Sequence, residues 1–148
     1  MAYKFTQPGA EIQDILDQVG TNTGNIAQNT SDIGAINTAL TPAVTAWTKA
    51  STSQIGSSTG GNFYQIGKIC LFFGTIYISN ASANATYTAV NNAPAPAEAW
   101  GFSGQGGHAS GATASYVLII NRNTMSIRPK VAISSEQGLY VSGAYVTA

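Results

Sequence analysis

Beyond residue 41 this chain holds few groups able to make or break a bond: the carboxylates Glu98 and Glu136, the imidazole of His108 and the thiol of Cys70. Glycoside hydrolysis needs two carboxylates about 5 to 10 Å apart, and only Glu98 with Glu136 could supply them. A Ser-His-acid set would have to use His108, which lies in a glycine-rich run with no neighbour to orient its ring. Zinc lacks ligands unless three copies of His108 meet on an axis. Cys70 sits inside Ile69-Cys70-Leu71-Phe72-Phe73 and reads as a small buried hydrophobe. The residues therefore argue against an enzyme and against a resident metal.

Non-covalent recognition is a better use of what is present. A saccharide site combines an aromatic face, which stacks on sugar C–H groups, with side chains that give directional hydrogen bonds. The run Trp100-Gly-Phe102-Ser-Gly-Gln105-Gly-Gly-His108 has both kinds. Trp100, Phe102, Gln105 and His108 are thus the first candidates for binding, with Tyr87, Arg122 and Asn123 as further ones. The competing reading makes Trp100 and Phe102 core residues of a strand, with the glycines from Gly104 to Gly111 forming a long loop.

Those residues lie in a region patterned with a period of two. Strands are predicted over 62–66, 68–79, 116–120, 125–128 and 139–147, with Asn121-Arg122-Asn123-Thr124 as a hairpin turn. Gly74 suggests a bulge or bend in the second of these. Residues 44–49 form a first strand or a neck, where Trp47 is expected to pack between chains. About eight short strands with no helix between them argue an antiparallel sandwich or barrel.

Before residue 42 the period is seven: Ile12, Val19, Ile26, Ile33 and Leu40 recur at that spacing, with Ile15, Asn22, Asn29 and Ile36 three residues after the first four. This is a coiled-coil seam of about four heptads. Ile at both core positions favours three strands over two. Gly20, Gly24 and Gly34 weaken the helix taken alone, so its formation should be coupled to assembly. Glu11, Asp14 and Asp17 suit its start, and Thr41-Pro42 ends it. The expected fold class is an N-terminal parallel trimeric α-helical coiled coil followed by an all-β antiparallel sandwich or barrel head. The segments are an extended arm over 1–10, a stalk over 11–41, a neck and linker over 42–61, and a head over 62–148.

Only 8% of the 148 residues are charged and the net charge is zero, against roughly 25% charged in ordinary soluble domains. Nothing here suggests a nucleic-acid partner or an anionic membrane surface. No apolar run reaches membrane-spanning length and no signal peptide is visible at Met1. A single cysteine allows no internal disulfide, which suits folding in a reducing cytoplasm.

The unit Val19-Gly-Thr-Asn22-Thr23 returns one heptad later as Ile26-Ala-Gln-Asn29-Thr30. It resembles the Asn layers of trimeric autotransporter adhesins and of trimeric phage fibres. That resemblance implies an anion, usually chloride, held on the axis by Asn22 and Asn29; a water-bridged layer that only fixes register is the other reading. The β region, with Phe63-Tyr-Gln-Ile-Gly-Lys-Ile-Cys-Leu-Phe-Phe-Gly-Thr-Ile and the closing Leu139-Tyr-Val-Ser-Gly-Ala-Tyr-Val-Thr147, looks like the head of phage tail-tip receptor-binding proteins. The resemblance implies a homotrimer on a virion, made in the host cytoplasm. It would adhere to a host-surface saccharide and contact other tail or baseplate proteins. The alternative is a structural baseplate or fibre subunit that never touches a host molecule.

Overall fold

The computed structural model describes residues 9–107 and 113–148. The chain divides between Thr41 and Pro42 into two units. The first contains α1 (Gly9–Leu40), one continuous helix none of whose residues is buried. The second contains eight strands: β1 (Ala43–Ala46), β2 (Gly60–Ile66), β3 (Ile69–Ile78), β4 (Tyr87–Val90), β5 (Trp100–Gly107), β6 (Thr113–Asn121), β7 (Thr124–Pro129) and β8 (Gln137–Val146).

The helix carries its polar residues locally. In both copies of the repeated unit the threonine hydroxyl donates to the carbonyl four residues back, Thr23 to Val19 and Thr30 to Ile26, each at 2.8 Å. Gln13 and Gln28 reach Asp17 and Asp32 one turn on. These bonds let a Thr-, Asn- and Gly-rich segment stay helical, since the groups that would compete with the backbone are occupied within it. Thr41 donates from its backbone to Asn37, and Pro42 follows.

The fold class expected from the sequence is corrected here. Among the described residues the chain is mostly β, one helix and two antiparallel sheets, and the parallel trimeric coiled coil is not part of it: the seam residues Ile12, Ile15, Val19, Ile26, Ile33, Ile36 and Leu40 lie exposed on one single helix, as do Asn22 and Asn29. The physical reason is that a period of seven records which side chains share a helix face. It does not record what, if anything, that face is packed on.

The second unit is a sandwich of two four-stranded sheets, ordered β1-β2-β3-β8 and β4-β7-β6-β5, with every neighbouring pair antiparallel. Alternate residues meet in one core: Phe63, Phe72, Ile76 and Leu139 from the first sheet, and Val90, Leu118, Ile120 and Ile127 from the second. Each contributes about 1.5 to 3 kcal/mol by leaving water.

Trp47 is part of this core, its ring 5.7 Å from that of Phe63. The expectation that it packs between chains at a neck is therefore corrected, and the residue following β1 ties the 42–61 stretch to the sandwich. Ala50 and Ile55 are buried as well. The indole fits only because Gly61 and Gly74 face each other across β2 and β3: a Cβ on Gly74 would lie 2.6 Å from Trp47 Cη2. Gly74 makes no bulge, since the pairs Phe73–Ser142, Gly74–Val141 and Thr75–Tyr140 run in unbroken register. The same Cβ would lie 2.5 Å from the Gly60 carbonyl oxygen and 2.7 Å from Gly61 Cα, so the facing backbone and the tryptophan both require the glycine.

Candidate functional site

The second sheet positions most of the predicted binding residues. Register aligns Trp100 with Ile120 and Met125, and Phe102 with Leu118, Ile127 and Tyr87. Trp100 and Phe102 therefore share the inward side of β5, which is an edge strand. Their rings stack at 6.4 Å with 19° between planes. Phe102 is half-buried and meets Phe72 edge-on at 5.4 Å. Gly143 on β8 leaves room for that contact, because a Cβ there would lie 2.7 Å from Phe72 Cζ. Trp100 keeps 39% of its surface exposed at the rim.

Arg122 and Asn123 form the two-residue tip between β6 and β7, both exposed, with Arg122 at a φ of 51°. Trp100 faces Ile120, two residues from that tip, so these three residues lie at one end of the sheet. Tyr87 does not join them. It sits on the opposite edge strand, three strand spacings or about 14 Å across. Its hydroxyl accepts from the Ser82 amide at 2.8 Å. Arg128, near it on β7, donates from Nε to Thr86 Oγ1 at 2.9 Å.

Gln105 lies on β5 opposite Ser115, so the loop expected from Gly104 onward is strand as far as Gly107. The glycines mislead because composition reports local preference, whereas pairing along β6 is what holds this segment extended. His108 lies outside the described residues. Among the described residues no three metal-ligating side chains gather, and no helix is long and apolar enough to cross a membrane.

A second feature is not among the sequence expectations. On the outer side of the first sheet a hollow of about 390 Å³ is framed by Phe73, Thr75, Tyr140 and Ser142, with Gly74 and Val141 between them. Phe73 stacks on Tyr64 at 5.1 Å and 13°. The sequence does carry a signal: Ile69-Cys-Leu-Phe-Phe73 is apolar without alternation, and such runs belong to strands covered on both faces.

Two buried hydroxyls and one thiol complete the chemistry. Burial pushes the Cys70 thiol up, partly offset by its contact with the Tyr145 hydroxyl. Burial also raises Tyr116 and, foremost of its causes, Tyr145. Each phenol donates to a backbone carbonyl, Tyr116 to Tyr140 at 2.7 Å and Tyr145 to Pro94 at 2.8 Å. These groups are held neutral, and none is poised as a nucleophile or base.

No family model matches the chain, and none of the curated proteins does. Among solved structures it is similar to the head domain of phage bIL170, whose description concerns a common fold for the receptor binding domains of lactococcal phages. The two are 13% identical with a TM-score of 0.57, over 72% of this chain and 99% of that one. At that identity the likeness is one of fold: this chain shares the architecture of a phage receptor-binding head.

Proposed function

We propose that this protein is a homotrimeric receptor-binding or fibre-tip component of a phage or phage-like particle, and that its β-sandwich adheres to a host-surface saccharide. The observation that carries this reading is the fold it shares with the bIL170 head domain. The rim at Trp100 supports it, because an exposed indole held by Phe102 beneath it offers a ready-made stacking face for a sugar ring. Arg122 and Asn123, at the same end of the sheet, supply directional polar contacts, with Gln105 on β5 and His108 as further candidates. The mechanism is adhesion, with no bond broken. Several copies on one body make weak single sites sufficient through effective concentration. Location on the virion and contacts with other tail proteins belong to the same proposal.

The test is saturable binding to host cells or purified cell-wall saccharide, competed by soluble fragments of that saccharide. Binding lost on Trp100→Ala, with the fold intact by circular dichroism, supports the proposal. Wild-type protein that neither adsorbs to host cells nor binds their saccharides overturns it.

A further inference from the structure

One short stretch of chain joins the Arg122–Asn123 tip to the first strand of the sandwich. Residues 43–50 change sheets at Trp47: up to that point they pair with β2, ending where the Trp47 amide donates to Gly61 at 2.9 Å. From Thr48 on they run against the end of β4, where the Ala50 amide donates to Ala89 at 2.9 Å, Lys49 bridges Val90, and the Asn91 amide donates to Thr48 at 2.9 Å. Asn92 then spends its whole side-chain amide on this corner: Nδ2 donates to the Ala46 carbonyl at 2.7 Å, and Oδ1 accepts from the Thr48 amide at 2.6 Å. Ala93 is fully buried, and its amide donates to the carbonyl of Asn123 at 3.0 Å.

Both ends of this connection are soft and its middle is stiff. β1 is a four-residue edge strand, paired on one side only, with all four residues exposed, and such strands open locally at little cost. At the other end Arg122 holds a φ of 51°, a conformation that glycine adopts freely and that a residue with a Cβ resists. Residues kept in such conformations cluster at ligand clamps and switches. Between the two ends, Val90 and Ala93 are both set in the core, so the stretch linking tip to β1 cannot slide.

We infer that Asn92 is a positioning residue for the Arg122–Asn123 tip, and that ligand contact at the tip is passed through Ala93 and Asn92 to β1. The coupling rests on the saccharide adhesion proposed above and adds how contact is registered by the rest of the chain. A tip held in one state keeps the Asn123 carbonyl in place for the Ala93 amide, and Ala93 in place keeps Asn92 seated on Ala46 and Thr48. Coupling between two sites is reciprocal, so whatever fixes β1 also favours the binding-ready tip. Only Thr41 and Pro42 separate β1 from α1 in sequence. The strand that registers contact is therefore the one that continues into the helix.

The experiment is amide hydrogen exchange, residue by residue, on the full chain as wild type, Asn92→Ala and Asn92→Asp; the last keeps an acceptor for Thr48 and loses the donor to Ala46. Without ligand, Asn92→Ala is expected to speed exchange at least about threefold both at Val44 to Ala46 and at Asn123 and Thr124, leaving Leu118 and Ile127 unchanged. Asn92→Asp should act in the same two places to a smaller extent, and decides alone if Asn92→Ala does not fold. A clamp that serves β1 only would loosen β1 only, so a tip unchanged in the variants overturns the inference. A second arm adds saccharide released from host cell walls. It should slow exchange at the tip and at β1 in wild type, and at the tip alone in Asn92→Ala. Slowing confined to the tip in wild type, or equal slowing of β1 in both proteins, overturns the route through Asn92. Wild type that binds no saccharide overturns the function proposed above, and the ligand-free comparison then decides the coupling by itself.

Discussion

The ring of Trp47 lies on the bare backbone of Gly74, where an added Cβ would come within 2.6 Å of Cη2. Both neighbours are fixed: the Trp47 amide donates to Gly61 at 2.9 Å, and Gly74 is paired on both sides. Neither can yield cheaply. Gly74→Ala is expected to destabilise the sandwich by about 3 kcal/mol through overpacking, read as a lower denaturant midpoint with unchanged slope. An unchanged midpoint would show that both the indole and the backbone at Gly60 and Gly61 move aside.

Phe102 and Trp100 should separate packing from recognition. Phe102→Ala removes the edge-on contact with Phe72 and is expected to cost about 2 kcal/mol of stability, a half-buried share of the full phenylalanine penalty. Trp100→Ala, at the rim, should cost less than about 1 kcal/mol of stability and weaken saccharide affinity about tenfold, one stacking contact's worth. Equal stability losses from the two would place Trp100 in the core.

Much of this sandwich is legible in the sequence, and its gaps have physical causes. β3, β6 and β7 announce themselves because β-branched and aromatic residues are concentrated in short runs bounded by turn residues, and Asn121 to Thr124 is the hairpin that their spacing requires. β5 is not legible past Phe102, since Ser103 to Gly107 has almost no side chains to show a pattern and is held by β6. The Trp47–Gly61–Gly74 arrangement is invisible because its members are brought together only by register. The seam from Ile12 to Leu40 marks a helix correctly but cannot say what covers it. The apolar outer rows of β3 are visible as a run, without the pairing that turns a run into a surface.

Gly24 stands off the Ile stripe, and a Cβ added there would meet nothing within 4 Å. Gly24→Ala should therefore stabilise α1 by about 1 kcal/mol through backbone entropy alone. Far-ultraviolet circular dichroism should show the helical signal surviving to higher temperature. A loss of helix would mean that another surface approaches that glycine closely.

Tyr145 gives the molecule an alkaline limit. Its folded pKa is raised, as is that of Tyr116, so the folded state keeps these phenols protonated where the unfolded chain, near pH 10, releases them. Their contribution is complete below pH of about 10 and is lost as pH rises toward the folded values. Tyr145→Phe should cost about 1 kcal/mol at pH 7, the hydrogen bond to Pro94. It should also flatten the decline in stability above pH of about 10. Denaturant titrations at pH 7, 9 and 11 would check both, and an equally steep alkaline decline in the variant would rule Tyr145 out as its cause.

The proline-bearing crossing from Pro94 to Ala97 runs beside the last strand: Ala97 donates to Val146, Ala148 donates to Ala95, and Pro96 bridges Thr147. Prolines have no amide hydrogen to offer a passing strand, and the margins β1 and β4 are only four residues each, whereas the fourth margin, β5, runs for eight. Lateral strand addition, the route by which β-rich chains polymerise into insoluble cross-β aggregates, is thus blunted at three of the four margins. Edgewise growth, where it starts, starts at β5, the long margin that also carries Trp100.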